Sequence, residues 1–129
     1  MASSVVSDNF ETGSGGVPQL GGTGATTCKA WVNFNGTGTV AIRDSYNVSS
    51  ITDNGTGEYT VNFSTSMPNA NYSVSSMSSS TTGSSVGFMC LYTWAGSAPT
   101  TSSFRVATAG NGSNIQEDCA FPNVQVFGN

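Results

Sequence analysis

Cys28-Lys-Ala-Trp-Val-Asn-Phe34, Asn35-Gly-Thr-Gly38, Thr39-Val-Ala-Ile-Arg43 and, further on, Asp53-Asn-Gly-Thr-Gly57 followed by Glu58-Tyr-Thr-Val-Asn-Phe63 decide the fold class. In the first run Cys28, Ala30, Val32 and Phe34 fall on one side, and Lys29, Trp31 and Asn33 on the other. That period of two is the signature of a strand with one buried face. Tyr59, Val61 and Phe63 repeat it directly after an Asn-Gly pair, the residues that a tight hairpin turn requires.

The same alternation extends outward. Tyr46-Asn-Val-Ser-Ser-Ile51 is expected as a strand, and Met67-Pro-Asn-Ala70 as a break, because proline has no N–H to give to a ladder. Tyr72, Val74 and Ser76 predict the next strand, and Ser78–Ser85 a loop. Val86, Phe88, Cys90 and Tyr92 alternate with Gly87, Met89 and Leu91, so both sides of that run are apolar and it reads as a central or interface strand. Ser97–Ser103 is a second loop, Phe104–Thr108 and Asn123–Phe127 are strands, and Ala109–Asn114 is a turn. About seven or eight short strands and no helical period predict an all-β chain, an antiparallel β-sandwich.

Residues 1–27 read differently. Glycine dominates, and the apolar islands Phe10, Val17 and Leu20 are spaced by it. Two readings stand: a flexible terminal arm, or an attachment arm that docks on a neighbouring subunit through those islands. The division expected is therefore an N-terminal arm, 1–27, and a sandwich domain, 28–129. The opening Met1–Asp8 has neither a basic nor an apolar region of the kind a signal peptide carries.

Composition excludes several function classes. Only 8% of the 129 residues are charged, against roughly 25% in ordinary soluble domains, so Ser, Thr, Asn and Gly must form the surface. Such surfaces suit dense assemblies and neutral hydrogen bonding to sugars. Lys29, Arg43 and Arg105 are the three basic residues, too few to displace phosphate counterions, so no nucleic-acid partner is expected. No apolar run is long enough to span a bilayer, so no membrane insertion is expected either.

The chain has no histidine, which removes the usual base for a serine or cysteine nucleophile. Asp53 and Glu58 flank a hairpin turn and read as solvated turn residues rather than as a carboxylate pair or a calcium loop. No catalytic residue, metal site or cofactor is expected, and the chain reads as non-enzymatic. Three widely spaced cysteines point away from a disulfide framework. Cys90 reads as a small core residue, and a Cys28–Cys119 disulfide is left as an alternative. Asn-x-Ser/Thr triplets at Asn35, Asn47, Asn54, Asn62, Asn71 and Asn111 read as chance in an Asn/Ser/Thr-rich chain. The aromatics Trp31, Tyr46, Tyr92 and Trp94 remain, either as core or subunit contacts or as a platform on which sugar rings stack. Trp94, Trp31 and Tyr46 are the candidate ligand contacts.

Lys29–Phe63, continuing through Met67-Pro-Asn-Ala-Asn-Tyr-Ser-Val74, closely resembles the C-terminal module of tail-fibre and other virion surface proteins of marine tailed phages. Asp8–Thr12 and Val124–Gly128 resemble the ends of such modules, while between residues 75 and 115 the likeness is compositional. A fainter similarity to H-type lectin sandwiches lies in the pattern from Tyr59 to Val74. The resemblance implies a homotrimeric β-sandwich displayed on a virion assembled in the host cytoplasm, in contact with other virion proteins and with a host-surface glycan. One departure is that about 27 residues precede the module instead of a shaft, so the arm is the expected attachment device. The alternative reading is a capsid decoration or cement protein anchored by that arm.

Overall fold

Alternating burial builds the domain. The computed structural model describes residues 10–12, 18–20, 27–79, 86–91, 96–109 and 116–128, and at 10–12, 18–20 and 86–91 the backbone alone. Its strands are β1 (Phe10–Thr12), β2 (Pro18–Leu20), β3 (Cys28–Asn35), β4 (Ala41–Tyr46), β5 (Val48–Gly55), β6 (Glu58–Phe63), β7 (Ser73–Ser79), β8 (Val86–Leu91), β9 (Ser103–Ala109) and β10 (Asn123–Phe127). The chain is an antiparallel β-sandwich. Eight strands run in the order β4-β3-β10-β7-β8-β9-β6-β5. The β7–β8 hairpin joins the two halves through Ser78↔Gly87 and Ser79↔Val86. Ala30, Val32 and Phe34 of β3 and Val124 and Val126 of β10 face Tyr59, Val61 and Phe63 of β6 and Phe104 and Val106 of β9 across one core.

Three strands differ from their expected bounds: β4 covers Ala41–Tyr46 instead of Thr39–Arg43, and β5 and β7 are shifted as well. The run 46–51 is split: Tyr46 ends β4 and Val48 opens β5. Asn47 lies between them with φ of 54°, a left-handed conformation that asparagine tolerates better than most residues. Its amide donates to Lys29 O and Thr65 O, and its Oδ1 accepts Thr65 N–H at 2.7 Å, which pins the corner where the chain changes sheets. Strand β7 runs on to Ser79, through the first two residues of the expected loop; residues 80–85 lie outside the described set. Pairing also occurs in the glycine-rich segment, where no strand was expected. β1 and β2 form a separate two-stranded sheet with Phe10 directly opposite Leu20.

The core has an aromatic anchor at each end. Phe34 and Tyr59 meet edge-on at 5.1 Å, and Phe63, Tyr72 and Phe104 form a cluster with centroids 5.5–5.9 Å apart. Tyr59 is completely buried, and its hydroxyl stands 2.9 Å from Gly36 O and 3.0 Å from Asp118 Oδ1. Asp118 also accepts Gly57 N–H at 2.7 Å. Gly36 N–H donates to Cys119 O, and Glu117 N–H to Thr108 O. The segment before β10 is thus sewn to both hairpin turns. A Cβ on Gly36 would lie 2.5 Å from Tyr59 Oη and 2.8 Å from Cys119 O, and one on Gly57 would lie 2.6 Å from Thr108 O.

Cys28 and Cys119 are free thiols. They mark opposite ends of β3, because Gly36, next after the strand, bonds Cys119, and eight strand residues span about 25 Å, far beyond disulfide reach. The alternative pairing is therefore corrected. Cys90 lies in β8 in register with Ala107.

Gly36→Ala is expected to cost about 3 kcal/mol, the upper range for forced overpacking, by urea denaturation. A cost no greater than that of an exposed surface substitution would mean that the Tyr59 pocket yields freely. A second expectation concerns pH. Burial pushes the Tyr72 phenol up to about 12 from an ordinary 10.0. Burial, reinforced by Asp118, pushes Tyr59 higher still. The unfolded chain then releases protons that the fold retains, so stability is full below pH 10 and declines as pH rises towards about 12. Urea midpoints taken across that window should fall, and Tyr72→Phe should flatten the fall; a midpoint that stays level in the parent chain would contradict it.

Candidate functional site

The two outward faces of the sandwich differ in kind. On the β5–β6–β9 side, polar groups satisfy one another. Asn62 donates to Ser50 Oγ and Thr52 Oγ1, and Asn54 to Thr60 Oγ1 at 2.7 Å. Arg105 pairs with Glu58 at 2.7 Å, and Gln116 donates to the other oxygen of the same carboxylate. Asp53 Oδ1 accepts Gly55 N–H. Asp53 and Glu58 are thus committed to structural bonds, as are the amides of Asn35, Asn47, Asn54 and Asn62. Among the described residues, no group of three or more His, Cys, Asp or Glu could hold a metal ion.

The outward face of β4–β3–β10–β7 is built otherwise. Because Ala30, Val32, Val124 and Val126 point inward, Lys29, Trp31, Asn33, Asn123 and Gln125 point outward. Register then lays the side chains out in rows across the strands. One row is Tyr46, Trp31, Gln125 and Ser75; the next is Asp44, Asn33, Asn123 and Met77. The large apolar side chains most exposed among the described residues all lie here: Met77 at 75%, Tyr46 at 58% and Phe121 at 52%.

A bulge in β4 at Asn33/Phe34 turns Arg43 onto this face. Its guanidinium lies 4.2 Å above the Phe121 ring and donates to Asn33 Oδ1 at 3.2 Å and to Phe34 O. Asn33 in turn donates to Asn123 Oδ1, and Asn123 to Phe121 O at 2.9 Å. Two concavities flank the rows. One of about 470 Å³ is lined by Ser75, Met77, Ser79, Phe121, Asn123 and Gln125. The other, of about 480 Å³, opens beside Lys29 and Tyr46, with Asn47, Thr65 and Pro68 on its far wall.

Trp31 and Tyr46, predicted as ligand contacts, are therefore brought together as cross-strand neighbours, with Trp31 half-buried. Trp94, Tyr92 and Val17 lie outside the described residues, and Phe10 and Leu20 are described by backbone alone. Sequence reasoning missed Met77, Phe121, Asn123, Gln125 and Arg43. The alternation of β10 already put Asn123 and Gln125 outward, and carrying β7 one residue past Ser76 would have put Met77 beside them.

Directly opposed aromatics on a sheet face stabilise each other by about 0.5 kcal/mol. A double-mutant cycle of Trp31→Ala and Tyr46→Ala, read by urea denaturation, should return a coupling of about that size. Strict additivity would separate the two rings.

No family model matches the chain, and no curated protein or solved structure matches it either, so the outward face is read on its own geometry.

Proposed function

We propose that this domain is a structural module on the surface of a bacteriophage particle, tail-fibre-like and homotrimeric, that binds glycans of the host surface through the outward face of β4–β3–β10–β7. The observation that carries the reading is the Trp31–Tyr46 pair, held in register beside Gln125 and Ser75 on an amide-rich face. Aromatic rings take the C–H faces of sugars, and neighbouring amides and hydroxyls take their hydroxyl groups. A few fixed polar groups around an apolar floor are what orients a ligand in a binding site. The resemblance of Lys29–Val74 to virion modules supports the placement on a phage particle. The low charge of the surface supports assembly, because few ions have to be desolvated when copies pack. The reading is non-enzymatic: the chain has no histidine, and Asp53, Glu58 and Asp118 are all engaged in structural hydrogen bonds.

A glycan array probed with the purified 129-residue chain tests it. Binding to a subset of glycans is expected, and Trp31→Ala should weaken it at least about tenfold, as loss of a stacking anchor does at other interfaces, without lowering the thermal midpoint by more than a few degrees. An assembled oligomer that binds no glycan would overturn the glycan assignment. Sedimentation should return a trimer, and a stable monomer at micromolar concentration would remove that part of the reading.

A further inference from the structure

The chain carries a net charge of −4, yet its few cations are not evenly spread. Arg105 belongs to the opposite face and is paired with Glu58. The other two, Lys29 and Arg43, both border the aromatic row. Lys29 precedes Trp31 by two residues on the outward side of β3, and Asn33, which accepts a hydrogen bond from Arg43, follows it by two. Each step of two along a strand is about 7 Å, so Trp31 lies between two positive charges. Neither cation forms an ion pair among the described residues. Lys29 lines the concavity of about 480 Å³ beside Tyr46, and Arg43 stacks on Phe121, a residue that lines the one of about 470 Å³.

Most acids with described side chains lie elsewhere. Asp53 and Glu58 sit on the β5–β6 hairpin, and Asp118, in the segment before β10, turns to Tyr59 and Gly57. Asp44 is the exception, at the β4 end of the row that contains Asn33, where its Oδ1 accepts Ser45 N–H. Among the described side chains the candidate face thus carries two cations, Lys29 and Arg43, against one acid, Asp44, on a molecule of net charge −4.

We infer that the glycan taken by this face is an acidic one, with carboxylate or sulfate groups held by Lys29 and Arg43 while a sugar ring between them stacks on Trp31 and Tyr46. This rests on the glycan-binding reading and narrows it. A neutral glycan could accept hydrogen bonds from both cations but would forgo the charge–charge attraction that an acidic group gains there. An anionic chain would be drawn to the face by the field, and an acidic group at either concavity would meet a cation in a site only partly open to water, where screening is weaker than in bulk. The flat guanidinium of Arg43, already stacked on Phe121, offers a fork that suits an oxyanion.

The test uses matched pairs of oligosaccharides on one backbone: oligogalacturonate against its methyl ester, and sulfated oligogalactan against its desulfated form. With the full chain, the acidic member of at least one pair should bind more tightly. Lys29→Gln and Arg43→Gln should each weaken that binding about fivefold, the effect of one unit charge at contact distance in water. The preference should shrink as salt rises. Where Arg43→Gln lowers the thermal midpoint, Lys29→Gln alone decides. Which pair responds tells carboxylate from sulfate recognition. Equal binding of acidic and neutral members overturns this inference and leaves the glycan reading standing. Acidic binding that Lys29→Gln leaves unchanged overturns it as well. Failure to bind any member of either pair, together with a blank glycan array, overturns both.

Discussion

The phenol of Tyr59 sits where three distant pieces of chain reverse direction, and the domain is organised around satisfying it. Its ring is completely buried against Phe34, so its hydroxyl cannot reach water. An unpaired hydroxyl at that depth would cost several kcal/mol. The acceptors supplied are Gly36 O, from the turn after β3, and Asp118 Oδ1, from the segment before β10. Asp118 in turn holds Gly57 N–H in the β5–β6 turn. One polar atom thus ties both hairpins to the entry of the last strand, and β10 is the strand that completes the sheet carrying the candidate site. The crowding at Gly36 and Gly57 follows from the same constraint, since the backbone must approach the phenol and the 116–119 segment closely enough to bond them.

With so few charges, the surface has to be kept polar and specific by other means. On the β5–β6–β9 side this is done by amide-to-hydroxyl bonds that cross from strand to strand, Asn62 to Ser50 and Thr52, and Asn54 to Thr60. Those groups are occupied with one another and offer little to a ligand. The single ion pair among the described residues, Arg105–Glu58, is partly exposed, where such pairs contribute about 1 kcal/mol or less. Its main effect is to fix Gln116 and the chain leading to Asp118. The opposite face has fewer of its polar groups bonded to one another and leaves Met77, Tyr46 and Phe121 exposed to water.

Much of this was legible in the residues themselves. Wherever burial is one-sided, period two gives the strand and its orientation, so β3, β6 and β10 fall at or within one residue of the expected bounds, and Lys29, Trp31 and Asn33 face outward as the alternation required. What was not legible depends on tertiary partners. The split at Asn47 follows from a side chain that bonds Lys29 O and Thr65, both remote in sequence. The β4 bulge that brings Arg43 onto the face shows only once β3 and β4 are paired. β7 is nearly all serine, with no apolar alternation to mark its end. Asp118 carries no motif; its role exists only because the fold brings Tyr59 and Gly57 to it.

The same economy makes the placement of two cations informative. On a surface with a quarter of its residues charged, a lysine and an arginine near an aromatic pair would be expected by chance. Here 8% of the residues are charged and only three are basic, so two cations against the single carboxylate of Asp44 alter the local field of this face. Arg43 is also conformationally restrained, because its guanidinium is stacked on Phe121 and bonded to Asn33 and Phe34 O. A side chain already ordered loses less entropy on binding than a free one, which loses up to about 2 kcal/mol. The bulge, the stack and the amide bridge from Asn33 to Asn123 therefore prepare a charged edge to the aromatic row, and the sandwich beneath, closed by Tyr59, keeps the strands that carry them in register.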